Sequence, residues 1–198
     1  MKISILILTV LLTSSVFAVE DDPVSSAAYF VDGFLRGSLD REIGRVDDCL
    51  VDGDKIIADV DKIISDISKG GFDLLTIIMD IGSILYDVPN CIKQCKDLPD
   101  TVKDVYSGWL KKIQNPLVIG RIVVTALTRY RTQLEGDAND FVSLWKSKQY
   151  EASGQKLGDI PHVLFDLCLD EDKDITVTLQ SLVKNILENQ QELVQESG

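Results

Sequence analysis

Six aspartates stand seven residues apart, at Asp52, Asp59, Asp66, Asp73, Asp80 and Asp87. The segments they open read in register as DGDKIIA, DVDKIIS, DISKGGF, DLLTIIM, DIGSILY and DVPNCIK. The residue after each aspartate is apolar except at Gly53. The fourth and fifth residues after each aspartate are apolar in every unit but DISKGGF, where the pair is Gly70-Gly71. Apolar positions at this spacing share one side of a 3.6-residue helical turn. The repeat therefore demands helix, with the acidic row expected as a solvated face. Two adjacent glycines weaken a helix and favour a chain reversal. The register thus predicts two antiparallel helices, Lys55–Ser68 and Phe72–Tyr86, joined at Lys69-Gly70-Gly71. One continuous coiled-coil helix is the alternative.

The hairpin bears on the cysteines, Cys49, Cys91, Cys95 and Cys168. With its centre between Gly70 and Gly71, Cys49 mirrors onto the neighbourhood of residue 92. Cys91 and Cys95 lie one helical turn apart and are poorly oriented to bond each other. The expected bridges are Cys49–Cys91 and Cys95–Cys168, with the swapped partners as the alternative. A zinc site would ask for CxxC or Cys/His pairs. Here the spacing is CxxxC and the single histidine, His162, lies elsewhere.

The compartment follows from the N-terminus. Met1-Lys2 precede an apolar run from Ile3 to Leu12 and a Val16-Phe17-Ala18 ending. This reads as a signal peptide over residues 1–18, too short to cross a bilayer comfortably. An even cysteine count behind such a segment predicts two disulfides in an oxidising environment. No later stretch is expected to span a membrane, the most apolar, Phe72 to Leu85, being interrupted by Asp73 and Asp80. Residues 19–198 then form one domain with a fraying C-terminal tail, secreted or held in the lumen of a secretory compartment. Loss of Lys2 takes the formal charge from −12 to −13. Such acidity disfavours nucleic acid and anionic lipid as partners.

Further helices are read around the hairpin. Ser25–Leu39 carries Tyr29, Phe30, Phe34 and Leu35. Pro89 introduces a helix with Cys91 and Cys95, and Pro99-Asp100-Thr101 starts another that ends at Asn115-Pro116. Leu117–Leu134, Gly136–Ser147, Tyr150–Ile160 into Leu169, and Ile175 to about Leu193 complete the set. No segment alternates strictly enough for a strand. The fold class is all-α, a disulfide-bonded bundle of roughly six to eight helices. Gly33-Phe-Leu-Arg-Gly37 and Gly154-Gln-Lys-Leu-Gly158 are both GxxxG, which leaves a smooth strip for close helix approach.

A search for chemistry yields little. His162 follows Pro161 with Ser153 and Ser181 nearby, yet nothing resembles a nucleophile elbow, and the histidine reads as structural. Asp170-Glu-Asp172-Lys-Asp174 imitates the start of a calcium loop. It lacks the glycine and the closing glutamate such a loop needs, and reads as an acidic helix start. No cofactor, metal or catalytic residue is assigned.

A signal peptide, the Gly33–Gly37 segment, Cys49, a helical hairpin, Cys91 and the Gly154–Gly158 segment together resemble a set of secreted helical proteins of ciliate protozoa. The resemblance covers most of the mature chain and implies location and fold. Plant invertase and pectin-methylesterase inhibitors share the four-cysteine helical plan, but their closely spaced first cysteine pair is absent. The expected function is a non-enzymatic secreted module that binds a protein partner or assembles at the cell surface. The alternative is an extracellular carrier of an apolar small molecule such as a lipid.

Overall fold

The computed structural model describes residues 23–46, 48–96 and 98–169. The expected signal peptide, the Asp170–Asp174 segment, Ser181 and the helix expected from Ile175 lie outside the described residues. Within them the chain forms α1 (Pro23–Leu39), α2 (Gly53–Gly70), α3 (Leu74–Cys91), α4 (Pro99–Ile113), α5 (Pro116–Thr125), α6 (Arg131–Lys146) and α7 (Tyr150–His162). A π-helical turn, Ala126–Tyr130, joins α5 to α6 into one rod, and a second, Val163–Leu167, extends α7. Six rods result, all helical, with one disulfide formed among the described residues.

The hairpin forms as the repeat requires. Ile56, Val60, Ile63 and Ile67 of α2 face Leu74, Ile77, Ile78, Ile81, Ile84, Leu85 and Val88 of α3 across a buried core. α2 runs through Gly70 and stops at Gly71, whose φ of 73° is open to glycine and strained for other residues. The Gly71 N–H returns to the Ile67 carbonyl. Asp73 then caps α3, accepting from the Leu75 N–H at 3.2 Å and the Thr76 hydroxyl at 2.8 Å. The reversal is thus centred near Phe72, beyond the glycine pair. The helix expected to start at Pro89 is absent; α3 continues through Pro89 to Cys91, and Cys95 sits in the following turn. A proline in the last turn of a helix forfeits one backbone hydrogen bond, which α3 tolerates.

α3 is, by length and composition, apolar enough to cross a bilayer, contrary to the expectation from Phe72–Leu85. Half of that window is buried inside the bundle, and its Asp80 carboxylate pairs with Lys62 of α2. The buried half of α3 belongs to the hydrophobic core.

In the second half, Asn115 caps α5 through the N–H groups of Leu117 and Val118, and Pro116 occupies the first turn. The expected break near Gly136 does not occur; α6 runs through it. A glycine costs a helix only about 1 kcal/mol, which packing of Leu134, Ala138 and Phe141 exceeds.

The two GxxxG motifs pack on each other. A Cβ added at Gly33 would overlap the Glu151 carbonyl oxygen and lie 2.8 Å from the Gln155 nitrogen. Likewise Gly154 abuts the Phe30 carbonyl, Gly37 that of Gln155, and Gly158 that of Phe34. All four glycines present a Cα–H to a carbonyl across the seam, so α1 and α7 meet backbone to backbone. Beside this seam runs a ladder of rings: Tyr150, Trp145, Phe30, Phe34, Tyr106, Trp109 and Phe165, with successive centroids 4.9–6.1 Å apart. It threads α7, α6, α1 and α4 and fills the space between them.

Candidate functional site

Cys49 bonds Cys95, with Cα atoms 5.0 Å apart. The favoured pairs Cys49–Cys91 and Cys95–Cys168 do not form. The cause is the position of the reversal. Moving its centre from the glycine pair to Phe72 moves the mirror image of Cys49 from residue 92 to Cys95. Cys91 keeps its thiol, buried beside the Asp52 carbonyl at 3.6 Å. Burial, and then the charge of Asp87, push that thiol up to about 11, so it is a poor nucleophile. Cys168 is fully buried, next to the turn that holds Phe165 against α4. The disulfide clamps the open end of the hairpin, where the Val51 N–H also binds the Cys91 carbonyl at 2.9 Å.

The aspartate row is only partly a solvated face. The repeat sets each aspartate about 40° around the helix from the apolar residue four places on, at the edge of the core. On antiparallel helices these edges meet. Lys62 bridges Asp80 and Asp66, the latter at 3.3 Å. Burial raises the Asp80 pKa even beside Lys62. Asp59 faces Asp87, and burial together with that like charge lifts Asp59 to about 6. Asp52 and Asp73 serve instead at helix starts.

His162 and Trp109 converge on Asp166: His162 Nδ1 lies 3.3 Å from one carboxylate oxygen, and Trp109 Nε1 donates to the other at 3.3 Å. Ser153 is turned away, its hydroxyl donating to the Phe141 carbonyl at 3.0 Å from the opposite end of α7. The arrangement ties the turn that extends α7 to α4, and among the described residues no hydroxyl is hydrogen-bonded to the imidazole. An open cleft of about 720 Å³ over the disulfide is rimmed by Arg41, Glu42, Arg45 and Lys96 and contains no histidine.

What the surface does offer is apolar. Leu75, Met79 and Tyr86 are 50 %, 56 % and 66 % exposed and follow one another along the outer side of α3 at helical spacing. Sequence reasoning read α3 as a buried partner of α2 and missed this outer row. Its signal was present: α3 is apolar on more sides than one hairpin contact can cover. Leu117 and Val124 form a smaller exposed pair on α5.

A family model described as secreted protein B-like matches residues 12–166, a span that includes every helix from α1 to α7. The chain belongs to the secreted protein B-like family. No curated protein and no solved structure matches it. Membership in this secreted family agrees with a disulfide in the hairpin and with extracellular localisation. The family description assigns no activity; in this chain the outer row of α3, three large apolar side chains in line, has the character of a contact surface.

Proposed function

We propose that this secreted protein B-like chain is a non-enzymatic helical module, delivered by a signal peptide over residues 1–18 and folded as one domain over 19–198. It binds a protein partner or assembles at the cell surface. The observation that carries this reading is the row Leu75, Met79 and Tyr86, three large apolar side chains exposed on a helix clamped at one end by Cys49–Cys95. A rigid helix bearing aligned anchors suits helix-in-groove recognition or self-association. The aromatic ladder filling the bundle interior supports the module over a carrier that encloses a lipid. The inert setting of His162 and of the Cys91 thiol supports a role without catalysis. Kinship with the four-cysteine helical proteins of ciliates remains part of the proposal.

The test is a triple variant, Leu75→Ser, Met79→Ser and Tyr86→Ser. Sedimentation velocity measures self-association, and a labelled protein measures saturable binding to cells of the natural source. The unaltered protein should show one or both, and the variant neither, with circular dichroism unchanged. An unaltered protein that stays monomeric and does not bind cells refutes the reading. A variant that binds as well as the parent moves the contact off α3.

A further inference from the structure

A groove of about 430 Å³ lies between α3 and α4, away from the Leu75–Met79 end of the outer row. α4 returns antiparallel to α3 after a short turn, and at one end of the pair Ile113 packs on Gly82. That direction orders the groove lining. Leu85 and Tyr86 of α3 stand opposite Leu110 of α4 near the Gly82–Ile113 end. Tyr106 forms the middle of the floor, fully buried, its hydroxyl 2.6 Å from that of Ser38. Lys93, just past α3, and Lys103, one turn into α4, stand at the other end. The groove is therefore polarised, apolar at one end and cationic at the other.

The charges at the cationic end are Lys93, Lys103 and Asp100. Both lysines are exposed, and neither forms an ion pair with another described residue. Among the described residues that line this end, two ammonium groups with no ion-pair partner stand beside one carboxylate, an excess positive charge in a chain whose formal charge is −12. The start of α4 adds the positive end of its dipole there. A cavity of this size is in the range that takes a small molecule.

We propose that this groove binds one small amphipathic carboxylate, an alkyl or aryl acid, with its apolar body against Leu85, Tyr86 and Leu110 and its carboxylate between Lys93 and Lys103. Charge complementarity selects an anion over a cation or a neutral alcohol, and the short apolar end selects one chain over a bilayer. The site shares Tyr86 with the outer row of α3 but not Leu75 or Met79, and it does not depend on partner binding there.

Isothermal titration calorimetry on the purified secreted chain decides the matter, with decanoate, decanol and decyltrimethylammonium, each below its aggregation concentration. Decanoate should bind with a stoichiometry of one, and at least tenfold more tightly than the other two. Lys93→Gln with Lys103→Gln should weaken decanoate at least tenfold and leave decanol as it was. Lys111→Gln, an exposed lysine of α4 outside the groove, should change nothing. Absence of decanoate binding overturns the proposal. So does equal affinity for the cationic amphiphile, or a double variant that retains the parent affinity. Because these substitutions spare Leu75, Met79 and Tyr86, a negative result leaves the partner-binding reading intact.

Discussion

Along α1 and α7 two backbones touch, whereas across α2 and α3 isoleucine, leucine and valine side chains hold the helices apart. The seam has four glycines, and the atom nearest to each across it is a backbone carbonyl oxygen, which cannot rotate away to absorb an added atom. The hairpin has many rotatable side chains, a lysine shared by two aspartates and a covalent clamp. The seam also joins segments far apart in sequence, while the hairpin closes on its neighbour. Close backbone contact yields a rigid joint with no tolerance, and side-chain packing yields one that can yield and repack.

Adding methyl groups to the seam should break this contrast most sharply. Gly33→Ala with Gly154→Ala forces α1 and α7 apart and should cost about 4 kcal/mol or more, enough to unfold many domains. Gly82→Ala on the outer part of α3, where a Cβ meets only Ile113 at an ordinary 3.6 Å, should be neutral or stabilising. Guanidinium melts compare the two directly; equal midpoints would erase the distinction.

The hairpin depends instead on its clamp. Cys49→Ser with Cys95→Ser opens a loop with a sequence separation of 46 residues and should cost about 3 kcal/mol, through the greater freedom of the unfolded chain. Non-reducing peptide mapping of the parent should recover Cys49 joined to Cys95. A Cys49–Cys91 peptide would restore the reversal to the glycine pair.

A smaller effect is expected at the reversal. Gly71 has φ 73° and ψ −160°, a region nearly confined to glycine. Open space surrounds it, so Gly71→Ala should lose about 2 kcal/mol through backbone strain alone. Thermal melts with the disulfide intact check this; a higher midpoint would argue for a continuous helix.

The smallest effect concerns charge. Asp59 in α2 and Asp159 in α7 are both lifted to about 6 from 3.8, by burial first and then by Asp87 and Asp137 respectively. A carboxyl that binds its proton more tightly when folded lowers stability while ionised. These groups should therefore make the protein more stable as pH falls from 7 toward 4. The full shift at one site corresponds to about 3 kcal/mol, which solvent screening at a half-buried position reduces to about 1 kcal/mol. Asp59→Asn should raise the thermal midpoint at pH 7 and blunt, without abolishing, the gain on acidification. If acid lowers stability across that range, other carboxylates dominate.

The hairpin was legible because one period, repeated through residues 52–87, names a helix and its buried side together. The cysteine pairing was less so. It turns on where the reversal is centred, and a shift of a residue or two changes which cysteine Cys49 meets. The aspartates misled for a related reason: a row at the edge of an apolar face looks solvated until a second helix brings its own row alongside.

Helical class, the hairpin and the potential of each GxxxG for close approach were determined by the sequence alone, because they rest on local period and side-chain size. That the two glycine motifs are each other's partners was decided by tertiary structure. So were the ladder from Tyr150 to Phe165, the raised pKa of Asp59, the exposed row on α3 and the polarised groove beside it. Each is a relation between elements, and a helix does not carry in its own sequence the identity or distance of what packs against it.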